Sequence, residues 1–214
     1  MGQIGFFEWQ AYAESLAFMG NSLLGTMRRT PKVGLRKNFW SKFPTFGSDE
    51  VARACAAMEA YVVHLGEAED AIAEISDEYT HLFVGEPKPA APPWEGFYQD
   101  EESEAGLGQS AFKMRELLRN AGLELKNVNN QYEDHAGIEL LFLSVLCTRI
   151  AQGEVPDAVP AEPKDVHDFL EAHLLTWIDK FQAAVAAEAP GAYYDCLLGV
   201  CTALLRAMYA ELTH

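Results

Sequence analysis

Between residues 163 and 188 the positions Val166, Phe169, Leu170, His173, Leu174, Trp177, Ile178, Phe181 and Val185 recur every three or four residues, the spacing that lines one face of an α-helix. Asp165, Asp168, Asp179 and Lys180 fall on the opposite face, and Pro190 with Gly191 ends the run. A second run starts near Tyr193 and continues through Leu197, Leu198, Cys201, Leu204, Leu205 and Met208. These two helices are expected to form an antiparallel pair. The same periodicity predicts earlier helices at about 4–25, 48–65, 69–84, 108–121 and 134–152, separated by loops rich in Gly, Pro and Asn. No alternating pattern of strand length occurs. The expected architecture is all-α, a single-domain helical bundle over 1–214. Two long irregular stretches interrupt it, 85–107 and 153–163, and loops of that length in a compact domain are usually functional.

Composition narrows the function. About half of the 214 residues are hydrophobic, enough to bury a core without disulfides. The formal charge of −16, from 32 acidic and 16 basic residues, opposes binding to nucleic-acid phosphates or anionic lipid and favours cationic partners. The charge is uneven: Arg28, Arg29, Lys32, Arg36, Lys37 and Lys42 crowd into one segment, "MRRTPKVGLRKNFW" and its flank. That segment has no apolar run after its arginine pair and is read as a solvated loop. Cys55, Cys147, Cys196 and Cys201 sit within apolar helical patterns and form no Cys-x-x-Cys pair, as buried thiols of a reducing compartment would. The first twenty residues lack a basic leader, and no apolar run of about 18 residues suggests a membrane span. A cytoplasmic location without stable membrane insertion is expected.

Most enzymatic signatures are missing. There is no phosphate-binding loop, and "GLGQSA" at 106–111 is a fragment of a dinucleotide fingerprint with no strand before it. Glu78 and His81 make one Glu-x-x-His, whereas a di-iron bundle needs two such pairs and two more carboxylates. No metal and no cofactor is expected. The alternative from another class is a helical metal-dependent enzyme using Glu78, His81, Asp134, His135 and Glu139. His173, on the stripe with Trp177, reads as a hydrogen-bonded core histidine.

Two stretches hold more information. "YTHLFVGEPKPAAPPWEGFY" (79–98) puts a proline-rich elbow between aromatic clusters; Pro87, Pro89, Pro92 and Pro93 bar a helix, while Leu82, Phe83, Trp94, Phe97 and Tyr98 demand apolar contact. In "NNQYEDHAGIELLFLSVL" (129–146), Asp134 is a candidate N-cap, and His135, Ile138, Glu139 and Phe142 share one face. His135 and Glu139 either satisfy one another or, with Glu133 and Asp134, form a corner that receives a cation.

Taken together, "YTHLFVG", "PPWEGFY" and "EDHAGIELLFL" resemble in order and spacing the signature of the TorD/DmsD/NarJ family of redox-enzyme maturation chaperones. The matching positions are Tyr79, Leu82, Phe83, Gly85, Pro92, Pro93, Trp94, Glu95, Tyr98, Asp134, His135, Glu139 and Phe142, and His173 with Trp177 resembles the family's later His-x-x-x-Trp. Gly96, Leu143 and Gln131-Tyr132 depart from the usual Ser, Met and Glu-Pro. The resemblance implies an all-helical, non-enzymatic chaperone, monomeric or a helix-swapped homodimer. It would bind the twin-arginine signal peptide, or an N-terminal segment, of a molybdenum-cofactor oxidoreductase and hold export until the cofactor is loaded. A nitrate-reductase-type assembly factor without twin-arginine recognition is the alternative within the family. The implied peptide site comprises Leu82, Phe83, Pro92, Pro93, Trp94, Glu95, Tyr98, Asp134, His135 and Glu139.

Overall fold

The computed structural model describes residues 4–36, 38–65, 69–85, 88–99, 108–126, 131–153, 156 and 158–213. Helix α1 (Phe6–Leu23) is followed by two short 3-10 turns (Lys32–Leu35 and Trp40–Lys42), then by α2 (Asp49–Leu65) and α3 (Glu69–Tyr79). A π-turn over Thr80–Val84 extends α3. The short α4 (Glu95–Gln99) and α5 (Gln109–Asn120) lead to α6 (Ala136–Gln152). Helix α7 (Pro163–Phe169) passes through a second π-turn (Leu170–Leu174) into α8 (Leu175–Glu188), and α9 (Tyr193–Thr213) closes the chain. The described residues form no strand, only an isolated bridge between Trp94 and His135.

Two glycines set a close crossing of α1 and α6. A Cβ at Gly20 of α1 would lie 2.7 Å from the Gly137 carbonyl oxygen of α6, and one at Gly137 would lie 2.7 Å from the Gly20 carbonyl oxygen. Only hydrogen atoms fit between these backbones. The Ser144 hydroxyl donates to the Ala13 carbonyl at 2.7 Å and fixes the same pair of helices. Helix α9 fills the centre: Leu197, Leu198, Cys201, Leu204, Leu205 and Met208 are all buried, so the predicted stripe is the inner face. Its start is held by Glu78, whose carboxylate accepts from the backbone N–H groups of Tyr193 (3.2 Å) and Tyr194 (2.9 Å), where the N-terminal dipole favours a carboxylate. By length and composition α9 could cross a membrane, with a mean hydropathy of 1.4, a possibility the run-length reading did not foresee. Here that apolar surface is spent inside the bundle.

The basic segment is more structured than the solvated loop expected from its charges. Arg28, Arg29, Lys32, Arg36 and Lys42 are exposed, but Trp40 and Phe43 are buried among Phe18 and Phe39, and the Trp40 indole donates to the Gly34 carbonyl at 2.7 Å. The apolar members anchor the segment while the charges stay in water. Lys37 and Pro87 lie outside the described residues.

Candidate functional site

The elbow and the start of α6 are stitched together by backbone. The Ala90 and Ala91 N–H groups donate to the carbonyls of His81 (3.3 Å) and Leu82 (2.8 Å) in the first π-turn. Beyond the prolines, Glu95 N–H donates to the Asp134 carbonyl at 3.0 Å, and Ala136 N–H donates to the Pro93 carbonyl at 2.8 Å. Pro92 and Pro93 can occupy this track because the chain there uses carbonyls, not the N–H groups that proline lacks.

Along this junction the implied site residues separate into two layers. Leu82, Phe83, Pro92, Pro93, Glu95, Asp134, His135 and Glu139 are buried, and Trp94 and Tyr98 are half-buried. Leu82 and Phe83, two of the implied peptide-site residues, lie in the core. Phe83 packs against Tyr79, Phe181 and Tyr194 with ring centroids 5.2, 5.7 and 5.0 Å away, because the π-turn directs it towards α8 and α9. Tyr98 stacks on Trp177 at 5.6 Å. The exposed large apolar residues nearby in sequence are Val84 in the first π-turn, Phe97 on α4 and Phe112 on α5.

Asp134 is not the N-cap of α6. That position belongs to His135, whose Nδ1 accepts from the Gly137 N–H at 3.0 Å. Nδ1 is therefore the acceptor nitrogen and Nε2 carries the proton. Burial holds the imidazole neutral, with a pKa pushed down to about 3. Asp134 instead accepts from the Gly96 N–H through Oδ2 at 3.0 Å, and burial pushes its carboxyl up to about 6 against the pull of that N–H. Gly96 replaces the family's usual Ser at a crowded point, since a Cβ there would meet Asp134 Oδ2 at 3.1 Å.

His135 and Glu139 do not satisfy one another, because the capping role turns the imidazole back onto its own helix. Glu139 Oε2 accepts from the Trp177 indole at 3.2 Å. Glu95 Oε2 lies 3.0 Å from His173 Nδ1, and Glu95 Oε1 accepts from Gln99 at 2.8 Å. Burial first, and then the neighbouring Glu95, push the Glu139 carboxyl far above the usual range. Within the expected cation corner, Glu133 is already paired inside the chain. Arg115 already grips it through two hydrogen bonds of 2.6 and 3.1 Å, which hold its carboxyl low.

The residues of the alternative metal enzyme are not gathered. Glu78 caps α9, the exposed His81 faces Glu188 at 3.6 Å, and Asp134 and His135 serve the elbow. Glu139 does meet two other potential ligands, Glu95 and His173. That grouping escaped sequence analysis, because Glu95 and His173 stand 78 positions apart. The hydrogen-bonded core histidine at 173 is found as expected, 8% exposed.

Residues 47–183 match the family model described as nitrate reductase delta subunit. The chain belongs to that family, the group of TorD, DmsD and NarJ that its motifs resemble. Among relatives, a "Chaperone protein TorD" of Vibrio cholerae is 33% identical over 119 residues, covering 55% of this chain and 52% of that protein. A "Perchlorate reductase assembly chaperone protein" of Dechloromonas aromatica is 28% identical over 127 residues (59% and 55%). A "Probable Tat proofreading chaperone DmsD" of Haemophilus influenzae is 25% identical over 123 residues (58% and 54%). The chain spans about half the length of these relatives. They are named as chaperones and assembly factors rather than as catalysts.

Proposed function

We propose that this protein is a cytoplasmic, non-catalytic chaperone that binds the N-terminal segment of a molybdenum-cofactor oxidoreductase and delays its export until the enzyme is assembled. The observation that carries this reading is a set of unpaired polar atoms at the elbow. Trp94 Nε1, Asp134 Oδ1 and His135 Nε2 are buried and have no hydrogen-bond partner, while the Trp94 ring lies 6.0 Å from His135 and 6.3 Å from Tyr132. Two donors and an acceptor stand beside half-exposed aromatic rings. An extended peptide offers the complementary carbonyls and N–H groups, and buried polar atoms left unpaired are costly enough to favour such an occupant. Trp94 and Tyr98, half-buried, form the outer layer in this reading, with the unpaired atoms of Asp134 and His135 beneath them; Leu82, Phe83, Pro92, Pro93, Glu95 and Glu139 support it from the core. The strongly acidic surface suits a client segment with a basic head and an apolar tail, as in a twin-arginine signal.

The family's description favours a second reading, in which the client is a nitrate-reductase-type subunit without a twin-arginine signal. One titration separates them. The N-terminal peptide of the oxidoreductase encoded beside this gene is added to the protein, intact and with its basic pair changed to glutamine. Saturable binding that depends on the pair supports twin-arginine recognition, and binding indifferent to it supports the second reading. No binding of either peptide overturns both.

A further inference from the structure

The cluster beneath the elbow consists of Glu95 on α4, Glu139 on α6 and His173 in the second π-turn. All three are buried, and one ligating atom from each lies within 4.8 Å of the other two. Two carboxyl groups in contact inside an apolar core repel one another unless positive charge accompanies them. Among the described residues, Glu95 has an ion pair with His173, and neither carboxyl group has one with a lysine or arginine. Glu139 Oε1 is buried and without a hydrogen-bond partner, although its other oxygen is fixed by the Trp177 indole.

We propose that Glu95, Glu139 and His173 form a binding site for one divalent transition-metal ion. Two carboxylates and an imidazole are a donor set that suits zinc, manganese, cobalt or iron. One divalent cation neutralises both carboxylates, which no single proton does. Ligands held about 2.0–2.2 Å from a common ion are at most about 4.4 Å apart, so a side-chain shift of a few tenths of an ångström closes the set. The outer contacts are those of a built site. The Trp177 indole orients Glu139, and the Gln99 amide, at 2.8 Å, orients Glu95, as second partners of ligands commonly do. His173 also lines a cavity of about 390 Å³ with Phe142, Leu146, Val159 and Phe169. Because α4, α6 and the second π-turn each contribute one ligand, the ion would clamp the elbow to the bundle. The inference is independent of the client reading: the metal site stands or falls whether or not a peptide binds.

The test uses the full chain, stripped with a chelator and then titrated separately with Zn²⁺, Mn²⁺ and Co²⁺. Uptake of one equivalent, a rise in melting temperature, visible Co²⁺ absorption bands and paramagnetic shifts of the His173 ring signals are expected. Glu139→Gln and His173→Asn should each weaken binding at least about tenfold. If either variant fails to fold, the His173 ring signals of the wild type still locate the ion. Absence of stoichiometric uptake with an unchanged melting temperature overturns the proposal, because the carboxyl pair then holds only a proton. Equal metal uptake by wild type and both folded variants overturns it too.

Discussion

Glu95 and His173 meet at 3.0 Å inside the protein although 78 positions separate them, and this pair joins the proline elbow to the π-turn between α7 and α8. Removing one partner of a buried pair strands the other. His173→Leu leaves Glu95 and Glu139 without a base, and we expect chelator-treated protein to lose about 3–5 kcal/mol of stability. Glu95→Gln should lose less, since an amide can still accept from His173 and it ends the repulsion with Glu139. Urea denaturation of both variants checks the order. Equal losses would contradict that order, and a His173→Leu variant at least as stable as the wild type would show that the pair contributes nothing.

The approach of Gly20 to Gly137 gives a prediction about packing. An added methyl at either position would stand 2.7 Å from a backbone oxygen of the facing helix, and neither helix can yield without disturbing the contact between Ser144 and Ala13. Gly20→Ala and Gly137→Ala should each destabilise the protein by about 1–3 kcal/mol, despite the better helix propensity of alanine. Thermal unfolding decides this, and a higher melting temperature for either variant contradicts the crossing.

His135 predicts a dependence on acid. Its pKa falls from 6.5 to about 3 on folding, so below pH 6.5 the unfolded chain binds a proton that the native state refuses. The stabilising contribution is present above 6.5 and is lost as pH falls towards 3, by at most about 1.4 kcal/mol per pH unit. Asparagine caps a helix well and does not titrate. The stability difference between wild type and His135→Asn should therefore narrow or reverse between pH 6.5 and 4, while the raised carboxyls of Asp134 and Glu139 act equally on both proteins. A difference that stays constant with pH refutes a neutral His135.

Much of this molecule could be read from residue order. The stripe from Val166 to Val185 and the run from Leu197 to Met208 became the buried faces of α7, α8 and α9, because a 3.6-residue period reports burial directly. The π-turns at Thr80–Val84 and Leu170–Leu174 did not show, since one extra residue per turn barely shifts an apolar pattern already four residues apart. Charge misled most. Local spacing placed His135 and Glu139 on one face and suggested that they pair, but the imidazole turned back to cap its own helix at Gly137, and the partner of the glutamate, Trp177, arrived from α8. Nor could spacing reveal that Glu133 would be taken by Arg115, 18 positions earlier.

The elbow provides the decisive prediction for client binding. Trp94 is half-buried with an unpaired indole N–H, so Trp94→Ala removes apolar contact and a donor while leaving the backbone bridge to His135 intact. Affinity for the client's N-terminal peptide should fall by at least about thirtyfold, the equivalent of about 2 kcal/mol, with little dependence on salt. Asp134→Asn acts differently. Its amide oxygen can still accept from Gly96, so the elbow should stay in place, but the negative charge offered to a basic peptide is gone. The loss should be largest at low ionic strength and shrink as salt screens the wild-type attraction. Circular dichroism and melting curves establish that both variants are folded before titration. If folded Trp94→Ala and Asp134→Asn bind the peptide as the wild type does, the elbow serves the core alone and the client docks elsewhere on the bundle.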